Sequence, residues 1–260
     1  MTYGPHPWQQ TNWDWRAAGN FMLGGTGAGL MIGLALVQNQ SPYPVILAML
    51  LVAGGLGAVW LEIGRKLRAI HVFFNPQTSW MTRESYAAVL VFGFGLSSIF
   101  TDERQLLYAA AASAFAFLWC QARILRAAKG IPAWRAPQVV ALVITTALAE
   151  GTGLLMLMNL DVLAVSLFIA SVIARAIAWS GYRAALKQPG SRAALESAGK
   201  ALIQIGTIAP LALVLGGYFM PQAALLAGIA AILTGWWFKY VLVTRAAFNQ
   251  GFSLEHLPAR

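Results

Sequence analysis

The sequence predicts an all-α membrane protein of eight transmembrane helices, and three observations lead there. Of its 260 residues, 58% are hydrophobic and 10% charged, where soluble domains hold roughly half apolar and a quarter charged residues. Eight apolar stretches each approach the roughly 20 residues that carry a helix across a 30 Å hydrocarbon core. Between them, long loops rich in Lys and Arg alternate with short hairpins that hold only Arg104, the asymmetry expected of loops on opposite sides of a membrane.

The N-terminal run MTYGPHPWQQTNWDW lacks the basic-then-apolar order of a cleaved signal, so the first helix is expected to be retained. That helix, over 17–37, contains FMLGGTGAGLMIG. Its glycines lack the spacing, the preceding strand and the Lys-Ser/Thr pair of a phosphate-binding loop. Gly25, Gly29 and Gly33 instead recur every four residues, which stacks them on one helix face where a neighbour can approach closely. The later spans fall at 43–63, 85–101, 105–125, 137–158, 160–180, 199–218 and 222–243. Glu84-Ser85 and Glu196-Ser197 each lead a loop of similar length into the next helix, which suggests a parallel duplication: two four-helix bundles in one membrane domain, 1–260. The positive-inside rule puts both termini and loops 64–83, 123–136 and 181–199 in the cytoplasm, with Asp102, Glu103 and Asp161 opposite.

Composition also excludes function classes. Cys120 is alone and can neither close an intrachain disulfide nor hold an iron–sulfur cluster. His6, His71 and His256 fall in the termini or a loop, so a bis-histidine haem within the membrane is not expected. No clustered His, Cys, Asp or Glu offers a metal site, and no nucleophile turn marks a Ser-His-Asp hydrolase. The net charge of +9 lies in the loops of one side, so nucleic acid is not an expected partner.

What remains is a short set of ionisable residues at membrane depth, Glu62, Glu150 and Arg175, each costing about 2.5–3.5 kcal/mol at a helix centre on insertion scales. Glu62 closes the second span in WLEIGRKLRAIHVFFN, and a helix ending near Gly64 lets Arg68 fold back towards the carboxylate, a couple suited to proton exchange. The same residue reads equally as an interfacial glutamate bonded to Arg65 or Lys66. Glu150 reads as part of a proton path or as a structural hydrogen bond to a neighbouring helix. Arg175 is close enough to the basic end of its helix to snorkel. Trp8, Trp80, Trp134, Trp236 and Trp237 flank helix ends as an interfacial belt does. Trp13 and Trp15 stand with Asn12, Asp14, Arg16 and Asn20 at the start of the glycine helix. Flat rings beside donors suit a quinone headgroup, and a helix start capped by Asn12 or Asp14 explains the polar residues as well.

The stretches NWDWRAAGNFMLGGTGAGL and EIGRKLRAIHVFFNPQTSWMTRE resemble the NrfD-type membrane subunits, among them the anchors of dimethyl sulfoxide reductase-like molybdoenzymes. In that family the second helix closes with an acidic residue or His, then Leu-Gly, then Arg four residues after the Gly, and Ser-Trp-Met follows the turn. Here these read Glu62, Ile63-Gly64, Arg68 and Ser79-Trp80-Met81, with Glu62 where the dimethyl sulfoxide reductase anchors have His and Lys66 where proline is usual. The run GPHPWQQTNWDWRAAGNF further resembles the membrane subunits of phenylacetyl-CoA:acceptor oxidoreductases.

The resemblance implies a multi-pass subunit of the bacterial cytoplasmic (inner) membrane that binds ubiquinone or menaquinone, carries no haem and no metal, and docks an iron–sulfur subunit wired to a molybdopterin catalytic subunit. On that reading the quinone head sits among the first four helices near the basic face. Glu62 and Arg68 act on it, Trp15, Arg16, Asn20 and His71 complete the pocket, and Glu150 lies on a proton path. A purely structural anchor would need only a basic, aromatic docking face, and a secondary transporter would need broken helices aimed at a midplane site.

Overall fold

The computed structural model describes residues 7–39, 41–101, 103–217 and 220–251. Among these, eight helices are long and apolar enough to cross a membrane: α1 Trp15–Leu36, α2 Pro42–Glu62, α3 Trp80–Thr101, α4 Arg104–Ala127, α5 Gln138–Met158, α6 Val162–Ala185, α7 Pro189–Gly216 and α8 Gln222–Arg245. The chain is an all-α, multi-pass membrane protein. His6, His256 and Asp102 lie outside the described residues.

Helices reach further than their apolar windows. α3 begins at Trp80 and α7 at Pro189, so the predicted loop 181–199 shrinks to the few residues between Ala185 and Pro189. Hydropathy marks the hydrocarbon core, whereas a helix continues into the headgroup layer as long as its polar residues find partners. There Glu196 takes Arg183 at 3.4 Å and Lys200 at 3.3 Å. The start of α7 follows ordinary rules: Pro189 stands at the first position, where its missing N–H costs nothing, and the Gln188 side chain accepts from Ser191 N. On the opposite side, Asp161 caps α6 by accepting from Ala164 N at 2.6 Å. After α2, Ile63 turns extended and Lys66–Phe73 forms a 3₁₀ stretch that returns the chain to α3.

The spans close into two rings. In the first, α1 packs on α2 and α4, and α3 bridges α2 and α4; in the second, α5 packs on α6 and α8, and α7 bridges those two. The rings join along α1 and α5, the most enclosed spans, in each of which about four fifths of the most apolar stretch is buried. The glycine ridge makes that seam. Cβ atoms built at Gly25 and Gly33 would lie 3.4 Å from Ala147 Cβ and 3.1 Å from Leu155, and one built at Gly29 would overlap the Ala147 carbonyl. Beside the seam, residues 8–10 pair antiparallel with 247–249, Gln10 N donating to Ala247 O at 2.9 Å.

Three spans contain a π-helical turn: Asn20–Gly24 in α1, Gln204–Ile208 in α7 and Val241–Arg245 in α8. Wide turns free main-chain carbonyls, which must be satisfied inside a bilayer. In each case a side chain from elsewhere does so. Lys239 donates to Phe21 O at 2.7 Å and Gln121 to Asn20 O at 2.9 Å. Arg175 donates to Gly206 O, and Trp134 to Leu242 O at 2.9 Å. The Gly206 carbonyl is free for a reason visible in the chain: its helical donor would be residue 210, which is proline.

Candidate functional site

The mouths of α1 to α4 on the basic side surround a cavity of about 720 Å³. Its walls are mainly apolar, with Phe21, Leu56, Ile70, Phe73 and Phe92 among them, and its polar groups are Asn20, Glu62, Glu84 and Ser85. The 3₁₀ stretch forms one side and is tied to α3 by Tyr86, whose hydroxyl donates to Phe73 O at 2.8 Å. Ser79 accepts from Thr82 N at 3.2 Å and so starts α3. The next residue, Trp80, has two guanidinium groups over its ring, Arg83 at 4.3 Å and Arg123 at 4.6 Å from its centroid.

The most buried polar groups in its wall are Asn20, 4% exposed, and Glu84, one turn into α3 and 5% exposed. Asn20 Nδ2 donates to its Oε1 at 2.9 Å, and Gln121 stands beside the same carboxyl. The wide turn of α1 presents Asn20: its side chain reaches Glu84 while its carbonyl is held by Gln121.

Of the residues singled out in the sequence for the quinone pocket, Glu62, Asn20 and Trp13 line this cavity. Glu62 makes no ion pair among the described side chains. The expected fold-back of Arg68 does not occur, because residues 66–73 coil into the 3₁₀ stretch and leave Arg68 exposed on the basic face. The charges whose fields reach Glu62 are Asp14 and Arg16. Arg16 is held by Asp14 at 2.8 Å and donates to Leu61 O at 3.1 Å, fastening the start of α1 to the end of α2. Trp15 is exposed, and His71 sits on the outer surface, its ring edge-on to Phe74 and its Nδ1 3.2 Å from Arg68 O. Neither lines the cavity.

The Asp14–Arg16 clamp has a pH signature. The hydrogen bond from Arg16 holds the Asp14 carboxyl below its ordinary value of 3.8. Its contribution to stability is therefore complete above that value and lost as pH falls through the lower folded one. The difference in unfolding temperature between wild type and Asp14→Asn, measured across an acid titration, is expected to vanish at the bottom of that range.

Glu150 belongs to a separate cluster at the seam of the two rings. Lys239 of α8 lies 2.6 Å from its Oε2, Thr26 of α1 donates to the same oxygen at 2.8 Å, and Trp236 Nε1 donates to Thr26 at 2.9 Å. The bond to a neighbouring helix is thus present, with an ion pair added. Arg175 does not snorkel. It is fully buried and holds Ala231 O at 3.0 Å as well as Gly206 O, because α6 continues to Ala185 and carries it ten residues below the helix end. Among the expected belt tryptophans, Trp236 is drawn inward by Thr26, and Trp134 is buried and stacked on Trp13 at 4.8 Å.

Two functional candidates escaped the sequence reading. Glu84 stood at the edge of a loop there, and Lys239 lay unremarked inside the last predicted span. The usable signal for Lys239 was its position: an ammonium four residues before the end of the predicted span 222–243 calls for an anion. No protein-family model matches the chain, and no curated protein sequence matches it.

Proposed function

We propose that the chain is the membrane anchor and quinone-reactive subunit of a molybdopterin and iron–sulfur oxidoreductase in a bacterial cytoplasmic membrane, with both termini inside. The observation that carries this reading is the cavity at the basic face, apolar in its walls, with Glu84 at depth and Glu62 nearer the surface. A volume of about 720 Å³ and such walls suit the flat ring of ubiquinone or menaquinone. A quinone held there would supply a two-electron, two-proton redox couple.

The chain's own residues account for the rest. Asn20 fixes one oxygen of Glu84, leaving the carboxyl in the wall where it holds or passes a proton. Glu62 relays between cavity and basic surface, beside the Arg16 clamp. Arg68, His71 and Trp80 with its two arginines lie outside the cavity and form part of the docking face for the iron–sulfur subunit. The motif resemblance extends the reading to a catalytic partner that oxidises an acyl-CoA such as phenylacetyl-CoA.

Glu84→Gln is expected to lower quinone-linked turnover of the assembled complex by roughly a hundredfold or more while dye-linked activity persists. Gly57→Leu gives a readout without turnover. Gly57 lines the cavity and a Cβ there meets no atom within 4 Å, so a side chain has room to start there and is expected to occupy part of the chamber. Loss of short-chain quinone binding by the purified, folded variant is the expected result. Unchanged binding in Gly57→Leu, or full turnover in both Glu84→Gln and Glu62→Gln, overturns the quinone role and leaves only anchoring. A transporter reading draws on the buried charges Glu150, Lys239 and Arg175; purified chain that carries no quinone yet binds a soluble ion at that cluster would favour it.

A further inference from the structure

The second ring has a groove in the position that the quinone cavity occupies in the first. α6 and α7 touch only lightly, as α2 and α3 do, and two adjoining hollows of about 140 and 390 Å³ lie between them on the basic side. Both are lined by Trp179, Arg183 and Ile203; Lys200 and Glu196 border the smaller and Arg192 the larger. The groove exists because Trp179 turns inward onto Gly199, where a Cβ would overlap the indole. Towards the membrane, Ile177 of α6 and Ile205 and Ile208 of α7 are exposed.

The lining differs in sign from that of the first ring. There the polar groups of the cavity include two carboxyls, Glu62 and Glu84. Here the lining carries three cations, Arg183, Arg192 and Lys200, and one carboxylate, Glu196. Glu196 engages Arg183 and Lys200 at 3.4 and 3.3 Å, and Arg192 has no ion pair among the described residues. The set retains net positive charge on the basic side, beside an apolar flank that suits acyl chains. We infer that this groove binds the phosphate of an anionic phospholipid, with Arg183 and Arg192 on the phosphate oxygens and Trp179 beneath the glycerol region. Arginine suits the task, since its planar fork matches phosphate oxygens in pairs, and basic hollows between spans are where anionic headgroups bind.

The test uses the purified full chain in detergent, with native mass spectrometry for retained lipid and thermal unfolding for the effect of added lipid. Phosphatidylglycerol is expected to bind and raise the unfolding temperature where phosphatidylcholine does not. The double variant Arg183→Ala/Arg192→Ala is expected to weaken retention roughly tenfold or more. Glu196→Gln, which removes the competing carboxylate, is expected to strengthen it. Inorganic phosphate is the control for the source: stabilisation by phosphate alone assigns the groove to a soluble ligand and overturns the lipid assignment. Equal retention of both lipids, or a folded double variant that keeps phosphatidylglycerol as wild type does, overturns the site altogether.

Discussion

Lys239→Met is expected to destabilise the protein by about 3–5 kcal/mol, the cost of leaving a buried charge without its partner. The reason lies in what Lys239 holds. Its ammonium is buried and donates both to Glu150 Oε2 at 2.6 Å and to Phe21 O at 2.7 Å, so it joins α8 to α5 and to the wide turn of α1. Removing it orphans a carboxylate and a main-chain carbonyl in the same dry volume. The double variant Glu150→Gln/Lys239→Met is expected to recover part of the loss, because Gln at 150 keeps a partner in Thr26 and no carboxylate is left orphaned, while Phe21 O still lacks its donor. Unfolding of the two variants in detergent, followed by circular dichroism against denaturant, separates the cases. A single variant within about 1 kcal/mol of wild type would show that the pair is not what holds the seam, since an exposed pair is worth no more than that.

The second large effect is steric. At the crossing of α1 and α5, a Cβ on Gly151 would overlap the backbone of Gly29 and Leu30, and one on Gly29 would overlap the Ala147 carbonyl. Backbone cannot yield as a flexible side chain does, so Gly151→Leu must part the two rings. Overpacking of this kind costs about 1–3 kcal/mol when side chains can give way, and more is expected where they cannot. Gly93→Ala is the control: its Cβ meets nothing within 4 Å, and loss of a helical glycine is expected to be neutral or to stabilise by up to about 1 kcal/mol. Thermal unfolding of both purified variants tests the contrast, and a well-folded, stable Gly151→Leu would contradict the observed crossing.

How much of this was legible in the sequence follows from which physics writes itself into local pattern. Bilayer thickness imposes apolar length, so all eight spans could be counted. Close helix approach imposes small residues at fixed spacing, so the face formed by Gly25, Gly29 and Gly33 was readable, though not that α5 would meet it. The polar interior was less legible because its partners are far apart in the chain. Glu84 and Asn20 are 64 residues apart, and Glu150 and Lys239 are 89 apart. Glu84 was hidden by its place at the margin of a hydropathy window, and Arg175 by a helix end judged five residues too early. The wide turn in α1 leaves no signature in FMLGG, whereas the one in α7 does, through Pro210. The Glu62–Arg68 pairing rested on a sharp reversal after Gly64, and the chain instead coils at that point.

The wide turns have a consequence for how the molecule keeps its shape in a fluid medium. Greasy helices in lipid slide and rotate against one another with little penalty, because lipid chains replace lost contacts almost as well as protein does. A slip of one residue moves a helix about 1.5 Å along its axis and turns it by roughly 100°. Phe21 O, Gly206 O and Leu242 O each meet a donor that a neighbouring segment supplies at one depth and one azimuth only. These carbonyls work as detents: they index α1 against α8, α7 against α6, and α8 against the segment that precedes α5.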